Sequence, residues 1–571
     1  MTGLPPEMHG DETRGAGRWP EASPPAPSQL PASPLEGEII FGEDPAAEAL
    51  YEQRRKRRRT RNIVIAAVLV GALVLSSVWL LFDLLNRNAQ SAPAVPTPAT
   101  VQQADFASQQ PEWVGCYDTM QCAKVRAPLD WADPRGEQIE LALVKQPALG
   151  GAPKGSLFVN PGGPGSSGVT YLASGVDGAA SRTLQQEFDV ISWDPRGVGQ
   201  SSAVTCLDDA GMDKVLSGKS TTDDLEAGTQ EWLDAALKEN KAYGEACLEA
   251  TGPLLGHIDT GSTVKDLDML RAIVGDDKLN YLGYSYGTYI GARYADAYPE
   301  RVGRLVLDGA IDPTSTEVEV VREQTRGFEL ALRAYMTDCL SRSECPVSGS
   351  VDEAMAQWRA MLDAVEANPL TGSDGRMVGS GTLLTAIITP LYSQVNWPYL
   401  DQLYATVTEG NADVALSLAD FYYDRVDGVY QTNLITAFGA INCLDAPRSL
   451  PLNLEQMRAD AAELERIAPT IGAFQGYGDV GCAAWPVEGV DSRPPVKAAG
   501  AGPILVIGTT GDPATLLRWA ESLASQLESG VLLTYQGEGH TAYGNNACVN
   551  DIVDQYFLTG AVPAEGARCE A

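Results

Sequence analysis

GYSYG occupies residues 283–287, between an apolar run at residues 279–282 and a helix-like run at residues 288–297. A serine with glycine two residues before and after it is typical of a sharp strand-to-helix turn, which lifts the hydroxyl above a sheet. The pattern alone is weak, because short motifs of common residues arise by chance in a chain of 571 residues. Ser285 is therefore predicted as a nucleophile only if a base, an acid and an oxyanion site accompany it.

The base must be a histidine, because a serine hydroxyl attacks only when a neighbouring imidazole accepts its proton. The sequence contains three histidines, His9, His257 and His540. His9 precedes a predicted membrane span, and His257 follows an apolar turn typical of a structural histidine. His540 lies in GEGHT, residues 537–541, just after a predicted strand at 531–535. In folds where such a turn carries the nucleophile, the three residues follow one another along the chain in the order serine, acid, histidine. This order makes His540 the predicted base.

The acid is expected at the end of the strand that precedes His540. An apolar run at 504–508 leads into TTGDP, residues 509–513, which contains Asp512. A helix at 514–528 and a strand then carry the chain to His540, so both residues emerge at the same edge of the sheet. Asp308, at the end of the strand after the elbow, is the alternative. Replacing each aspartate by asparagine distinguishes the two.

The oxyanion site is predicted in NPGGPG, residues 160–165, which follows an early strand. Glycines let a backbone N–H approach the carbonyl oxygen that becomes anionic, and the N–H groups of Gly163 and Tyr286 are the predicted donors. A phosphate-binding loop is disfavoured, because the Gly-Lys-Ser/Thr ending is missing. The stretch WDPRGVGQS, residues 193–201, is predicted to be a structural turn at the pocket floor.

The order of elements predicts an α/β fold with a mostly parallel sheet. Short apolar runs typical of strands alternate with helical patterns; they lie at residues 138–144, 156–160, 188–193, 280–283, 304–308, 503–508 and 531–535. This alternation disappears in a mainly helical insertion, with helices expected at 320–340, 351–367 and 454–467. We expect a core of residues 113–313 and 503–571, and a cap of residues 314–502 over the carboxyl ends of the strands.

The first hundred residues predict a membrane anchor. Residues 1–62 are poor in aromatics, rich in Pro and Gly, and end in a basic cluster at 54–61; they are predicted to be a disordered cytoplasmic segment. Residues 63–82 carry no charge, and twenty residues span about 30 Å of hydrocarbon. Residues 63–85 are thus predicted to be a signal anchor that leaves the rest of the chain outside the cell, with residues 86–112 as linker. A nuclear-targeting signal and a cleaved signal peptide are the alternatives.

The cysteines and the net charge limit the class of protein that this sequence can encode. All ten cysteines follow the predicted span, which argues for disulfides in an oxidising compartment. Pairing of sequence neighbours is the economical expectation, although ten cysteines leave many connectivities open. No CxxC occurs and histidines are few, so neither a metal nor a cofactor is expected. The net charge of −34 disfavours nucleic acid as a partner.

Taken together, the motifs resemble the secreted tripeptidyl aminopeptidases, a branch of the α/β-hydrolase superfamily near the proline iminopeptidases. The resemblance covers about residues 113–569 and is carried by NPGGPG (160–165), WDPRGVGQS (193–201), GYSYGT (283–288), LVLDGAIDP (305–313), AINCLD (440–445), GDPAT (511–515) and GHTAYG (539–544).

This resemblance implies release of short peptides, often tripeptides, from free N-termini by Ser285, His540 and Asp512. It also implies that carboxylates near the cap bind the substrate ammonium, and the candidates are Asp445, Glu317, Glu319 and Glu323. Two alternatives stay open: an ester hydrolase of the carboxylesterase or lipase type with the same three residues, and a catalytically silent surface-binding protein on the same fold.

Overall fold

A ten-stranded β-sheet carries the site. The computed structural model describes residues 95–102, 105–446, 452–489 and 493–571. The strands of this sheet are β1 (Val114–Cys116), β2 (Met120–Pro128), β3 (Gln138–Gln146), β4 (Ser156–Asn160), β5 (Asp189–Trp193), β6 (Leu279–Tyr284), β7 (Val302–Asp308), β12 (Ile504–Gly511), β13 (Gly530–Glu538) and β14 (Arg568–Glu570). Two separate hairpins are formed by β8 (Leu370–Thr371) with β9 (Met377–Val378), and by β10 (Arg425–Val426) with β11 (Val429–Tyr430).

The strand order is β1-β2-β3-β5-β4-β6-β7-β12-β13-β14. The first three strands and the β3–β5 pair are antiparallel, and the strands from β5 to β14 pair in parallel. Asn160 pairs with Gly283, and Asp308 pairs with both Tyr284 and Ile507. The carboxyl ends of β4, β6, β7 and β12 therefore meet at one edge of the sheet, where α/β sheets bind ligands. The predicted α/β fold with a mostly parallel sheet is confirmed.

Burial explains which strands the sequence reveals. Every residue of β4 is buried, so this strand appears in the sequence as one apolar run. The strands β1, β2 and β14 were not predicted. In β2 the half-buried Lys124 and Arg126 interrupt the apolar pattern, and both form ion pairs with Glu140 on β3. The other two strands have only three residues each.

The α-helices lie on the sheet and in the insertion between β7 and β12. Those before β7 are α1 (Gly168–Ser174), α2 (Val176–Ala179), α3 (Arg182–Glu187), α4 (Asp209–Ser217), α5 (Gln230–Thr251), α6 (Thr260–Ile273) and α7 (Tyr286–Ala297). Those of the insertion are α8 (Glu317–Ser341), α9 (Val351–Ala367), α10 (Ser380–Leu391), α11 (Pro398–Thr408), α12 (Asp413–Tyr423), α13 (Leu434–Asp445), α14 (Leu454–Ile467) and α15 (Val480–Ala483). Two more follow β12 and β13, namely α16 (Leu517–Gln526) and α17 (Ala547–Thr559).

The insertion is divided between two hydrophobic cores. Helices α8 to α12 bury a core of their own, which includes Leu332, Trp358, Ile387 and Leu400. By contrast, Ala437, Ala440 and Ile441 of α13 are buried with the residues that cover the sheet. Helix α13 therefore packs with the α/β core, although its sequence lies within the expected cap.

All ten cysteines form disulfides between sequence neighbours: Cys116–Cys122, Cys206–Cys247, Cys339–Cys345, Cys443–Cys482 and Cys548–Cys569. The expected pairing is thus confirmed. Among the described residues, helices long and apolar enough to cross a membrane are absent. The predicted anchor at residues 63–85, the cytoplasmic segment before it and the first part of the linker lie outside the described residues.

Candidate active site

Ser285 lies in the turn between β6 and α7. Its φ of 54° and ψ of −123° are a strained conformation for a residue with a side chain, of the kind found at functional sites. The flanking glycines permit this turn. A Cβ at position 283 would lie 2.5 Å from the carbonyl oxygen of Gly287, and one at position 287 would lie 2.8 Å from the carbonyl oxygen of Asn160. The GYSYG motif is therefore a steric requirement for bringing strand, helix and loop together.

His540, which is largely buried, and Asp512, which is fully buried, form a pair at the same edge of the sheet. The imidazole Nδ1 lies 2.9 Å from both carboxylate oxygens of Asp512, which follows β12. The hydroxyl of Thr515 donates to Asp512 Oδ2 at 2.9 Å, and the N–H groups of Ala514 and Thr515 donate to Oδ1. Burial lowers the pKa of His540, but the charge and hydrogen bond of Asp512 together with the charge of Asp308 raise it by more, so the net shift is upward.

Asp308, the alternative acid, has a different set of partners. Its fully buried carboxylate accepts hydrogen bonds from the N–H groups of Ala542 at 3.0 Å and Tyr543 at 2.7 Å. Burial raises the pKa of Asp308 to about 6, although these two hydrogen bonds and the charge of His540 oppose that shift. The structure thus brings His540 into contact with Asp512, while Asp308 holds the loop that follows His540.

The elbow and the histidine converge on the end of β7. The N–H of Ser285 donates to the carbonyl oxygen of Asp308 at 2.9 Å. A Cβ placed on the next residue, Gly309, would lie 3.2 Å from His540 Cε1. Ser285 therefore contacts Asp308, and the imidazole of His540 lies next to the following residue, Gly309. Since Nδ1 faces Asp512, Nε2 is the ring nitrogen that remains to act on a hydroxyl.

The NPGGPG loop packs against the elbow. A Cβ at Gly162 would lie 2.4 Å from the carbonyl oxygen of Tyr284 and 2.9 Å from the N of Tyr286. Asn160 supports this loop, because its side-chain oxygen accepts the N–H of Gly162 at 3.0 Å. Within the described part of the chain, the N–H groups of Gly163 and Tyr286 donate to no protein acceptor. Both N–H groups are thus free to bind an oxygen of a ligand.

The WDPRGVGQS stretch supports the NPGGPG loop and has a structural role. Asp194 accepts hydrogen bonds from the hydroxyl of Ser167, at 2.7 Å, and from the N–H of Gln200, at 2.6 Å. Ser167 is the N-cap of α1, the helix that follows the NPGGPG loop. Arg196 forms a bidentate pair with Asp266 on α6, and both side chains are fully buried. A buried bidentate pair of this kind fixes the relative position of two segments.

Asp445, a candidate for binding the substrate ammonium, faces the protein interior. Its Oδ1 accepts the N–H of Thr260 at 2.8 Å, and its Oδ2 accepts the hydroxyls of Thr260 and Tyr286. Burial raises the pKa of Asp445 to about 6. In this arrangement the carboxylate anchors the side chain of Tyr286, whose N–H faces the oxyanion loop.

The three candidate glutamates lie along the first turns of α8 and differ in their surroundings. Glu323 is buried and contacts the guanidinium of Arg518. Glu319 accepts the N–H of Thr316 at 2.8 Å as part of a helix capping box. Burial and the charge of Asp479 raise the pKa of Glu317, although the charge of Arg493 opposes that shift, and this half-buried carboxylate has no ion pair in the described residues. Glu317 is therefore the candidate whose charge is least satisfied.

Sequence reasoning left two contacts of His540 unrecognised. Thr515 lies 3.2 Å from Nδ1 as well as bonding Asp512, and its presence three residues after the acid in GDPAT was an available signal. Tyr392 of the insertion accepts the N–H of His540 through its carbonyl oxygen, and no local pattern indicates that contact. His257 lies three residues before α6, where its carbonyl oxygen accepts a hydrogen bond from Arg196.

Comparison with known proteins agrees with this geometry. A family model described as TAP-like protein matches residues 468–569. Serine protease Hip1 of Mycobacterium tuberculosis is 35% identical over 462 residues, covering 78% of this chain and 87% of that protein. Carboxylesterase B of the same species is 33% identical over 523 residues, covering 90% of this chain and 99% of that protein. Tripeptidyl aminopeptidase of Streptomyces lividans is 28% identical over 494 residues, covering 85% and 90%.

These relatives confirm the resemblance carried by the motifs. The two mycobacterial proteins exceed 30% identity and are matched over most of their length. One relative is named a serine protease and another an aminopeptidase, and the matched model is a hydrolase family. The chain is therefore a serine hydrolase of the α/β-hydrolase fold, and it belongs to the TAP-like family.

Proposed function

We propose that this chain is an aminopeptidase that releases short peptides, tripeptides above all, from free N-termini. Ser285 is the nucleophile, His540 the base and Asp512 the acid that orients it. The observation that supports these roles most is the His540 imidazole, which is bonded to Asp512 through Nδ1 and lies beside the strand end that holds the elbow. This arrangement is the one that serine acyl transfer requires.

The reaction follows from the positions of these groups. Ser285 Oγ attacks the carbonyl carbon of the scissile bond while His540 Nε2 takes the hydroxyl proton. The carbonyl oxygen becomes anionic and accepts the N–H groups of Gly163 and Tyr286. When the C–N bond breaks, His540 donates that proton to the leaving amine. Water then attacks the acyl-enzyme by the same route, which releases the peptide and restores Ser285.

Recognition of a free N-terminus requires a carboxylate near the cap. Of the four candidates, Asp445 and Glu323 have partners inside the protein. Glu317 fits the role better, because its half-buried carboxylate forms no ion pair within the described residues, and burial and the charge of Asp479 raise its pKa against the opposing charge of Arg493. An ammonium ion beside Glu317 would relieve that unfavourable charge.

Comparing matched substrates tests the proposal. The full-length protein is assayed with an unblocked tripeptide coumarin amide and with its N-acetylated form, and Ser285→Ala is the inactive control. We expect the unblocked substrate to give a kcat/KM at least ~100-fold higher, because the blocked form leaves the half-buried carboxylate of Glu317 unpaired. Equal turnover of the two substrates would refute aminopeptidase activity while leaving the serine hydrolase assignment intact.

An esterase is the second candidate, and the relative named carboxylesterase B favours it. Esterase activity predicts that the kcat/KM for p-nitrophenyl esters of short acyl groups is higher than the kcat/KM for every unblocked peptide. A catalytically silent binding protein predicts instead that Ser285 fails to react with a fluorophosphonate probe. A scan of unblocked di-, tri- and tetrapeptide substrates beside the esters separates these outcomes and defines the preferred length.

We also propose that the enzyme works outside the cell, held by an anchor at residues 63–85 with the N-terminus in the cytoplasm. The five disulfides support an oxidising compartment. A membrane-impermeant biotin reagent that labels amines tests this location in intact cells. Labelling of the folded domain is expected, whereas labelling only after lysis would contradict the proposal.

A further inference from the structure

His540 is held from two sides. On the sheet side, its Nδ1 is bonded to Asp512. On the other side, its backbone N–H donates to the carbonyl oxygen of Tyr392 at 2.8 Å. The two rings also touch, with centroids 5.4 Å apart and planes at 83°, the edge-to-face geometry that aromatic pairs prefer. Tyr392 follows α10, so this second support comes from the helical insertion.

The loop before His540 is shaped to accept this contact. Gly539 has a φ of 102°, which favours glycine, and a Cβ there would lie 3.0 Å from the carbonyl oxygen of Tyr392 and 3.5 Å from the Cα of Ser393. The backbone of the insertion thus packs directly against the backbone that carries the base. Any larger residue at position 539 would separate the two segments.

Tyr392 is itself fixed by aromatic neighbours of the insertion. Burial raises the pKa of Tyr392 well above its usual value. The ring of Phe328, on α8, lies 5.6 Å away and that of Tyr422, on α12, lies 6.5 Å away. Helices α8 and α12 of the insertion therefore determine where the Tyr392 ring sits.

We propose that Tyr392 is a positioning residue for the catalytic base: its ring and carbonyl hold the His540 imidazole in the orientation that presents Nε2 to Ser285. This inference rests on the proposed role of His540. Asp512 alone fixes one ring nitrogen, and a second contact is needed to limit rotation of the imidazole about that bond. A displacement of about 1 Å in such a group costs about 100-fold in rate.

The pH dependence distinguishes positioning from general support of the fold. The groups that act on the pKa of His540 are Asp512 and Asp308, whose charges raise it, and burial, which lowers it. The Tyr392 phenol is neutral at the working pH and contributes only burial. Removing its ring admits water, so the pKa of His540 and the acid limb of kcat/KM should move to higher pH.

The test compares Tyr392→Leu with Tyr335→Leu in the full-length protein. Tyr335 is the matched control, because it is a buried aromatic of the same insertion that packs on Trp358 and Trp397. We expect Tyr392→Leu to lower kcat about 10- to 100-fold with little change in KM and to move the acid limb upward. Tyr335→Leu should lower Tm but leave kcat and the acid limb unchanged.

Tyr392→Phe keeps the ring and should retain most of the wild-type kcat, which tests rescue by a conservative change. Tyr392→Met replaces the leucine variant if that protein does not fold. Unchanged kcat and acid limb in a folded ring-deletion variant would overturn the inference. His540→Ala, measured with both an unblocked tripeptide amide and a p-nitrophenyl ester, is the separate check on the base. Full activity of His540→Ala would refute the proposed mechanism instead.

Discussion

Replacing Asp512 by asparagine should change the protonation of the base. In the wild type both carboxylate oxygens lie 2.9 Å from His540 Nδ1, so Nδ1 donates and Nε2 is free to accept a proton. The N–H groups of Ala514 and Thr515 both donate to Oδ1. An asparagine must keep its oxygen at that position, and its NH₂ group then faces Nδ1. The imidazole would carry its proton on Nε2 and could not accept one from Ser285.

The size of the effect follows from this tautomer. Loss of the orienting carboxylate in serine hydrolases lowers kcat about 10⁴-fold. At ~1.4 kcal/mol for each factor of ten, that is about 5 kcal/mol in the barrier. The charge and hydrogen bond that raise the pKa of His540 are also lost, whereas the burial that lowers it remains. The acid limb of the residual kcat/KM should thus move to lower pH.

Asp308→Asn is the matched control. Asp308 bonds the N–H groups of Ala542 and Tyr543, and an asparagine oxygen can keep part of that contact. We expect an activity loss below about tenfold, because the pairing of His540 with Asp512 is retained. Steady-state kinetics of both variants on an unblocked tripeptide amide, between pH 5 and 9, measure these effects. A loss of ~10³-fold or more in Asp308→Asn, with Asp512→Asn near wild type, would refute the assignment of the acid.

The Asp308→Asn variant also tests a prediction about the pH dependence of folding stability. Burial raises the pKa of Asp308 from 3.8 to about 6 in the folded protein. The native state thus binds this proton more tightly than the unfolded chain, so the stabilisation is present below pH ~4 and is lost as pH rises through ~6. The shift corresponds to about 3 kcal/mol. Thermal unfolding between pH 4 and 8 should show Asp308→Asn gaining stability relative to the wild type as pH increases, and a constant difference would contradict the argument.

Three further changes test the supporting structure. Gly162→Ala places a Cβ 2.4 Å from the carbonyl oxygen of Tyr284. We therefore expect kcat to fall at least ~100-fold while the circular dichroism spectrum stays native. Turnover at the wild-type rate would contradict the tight packing of the NPGGPG loop. Arg196→Met leaves Asp266 buried without its cationic partner and should cost about 3–5 kcal/mol in denaturant unfolding, whereas Arg466→Met on the exposed surface should leave the unfolding midpoint nearly unchanged. Replacing Cys443 and Cys482 together by serine should lower stability by about 2–4 kcal/mol under oxidising conditions, and the difference should vanish in reductant.

The elbow and the oxyanion loop could be predicted from sequence because their geometry is local. Gly283, Gly287 and Gly162 are required where backbones approach within van der Waals distance, and that requirement leaves a readable pattern of glycines. The parallel strands were also predictable, since burial on both faces turns each into an apolar run. The small number of histidines then reduced the candidates for the base to His540.

What the sequence left open depends on contacts between distant residues. Asp308 and Asp512 both end strands of the same sheet, and only tertiary packing decides that Asp512 faces Nδ1 while Asp308 bonds the loop after His540. The inward direction of Asp445, 185 residues from Thr260, was equally undetermined.

The sequence by itself therefore determined the fold class, the sharp turn at Ser285 and the set of candidate groups, because glycine spacing and apolar runs express local backbone sterics and burial. The tertiary structure decided which carboxylate contacts His540 Nδ1 and which part of the insertion contacts His540 from the other side. The contact of Tyr392 with His540 joins residues almost 150 positions apart. Such pairs are set by how whole elements pack, and no periodicity along the chain records them.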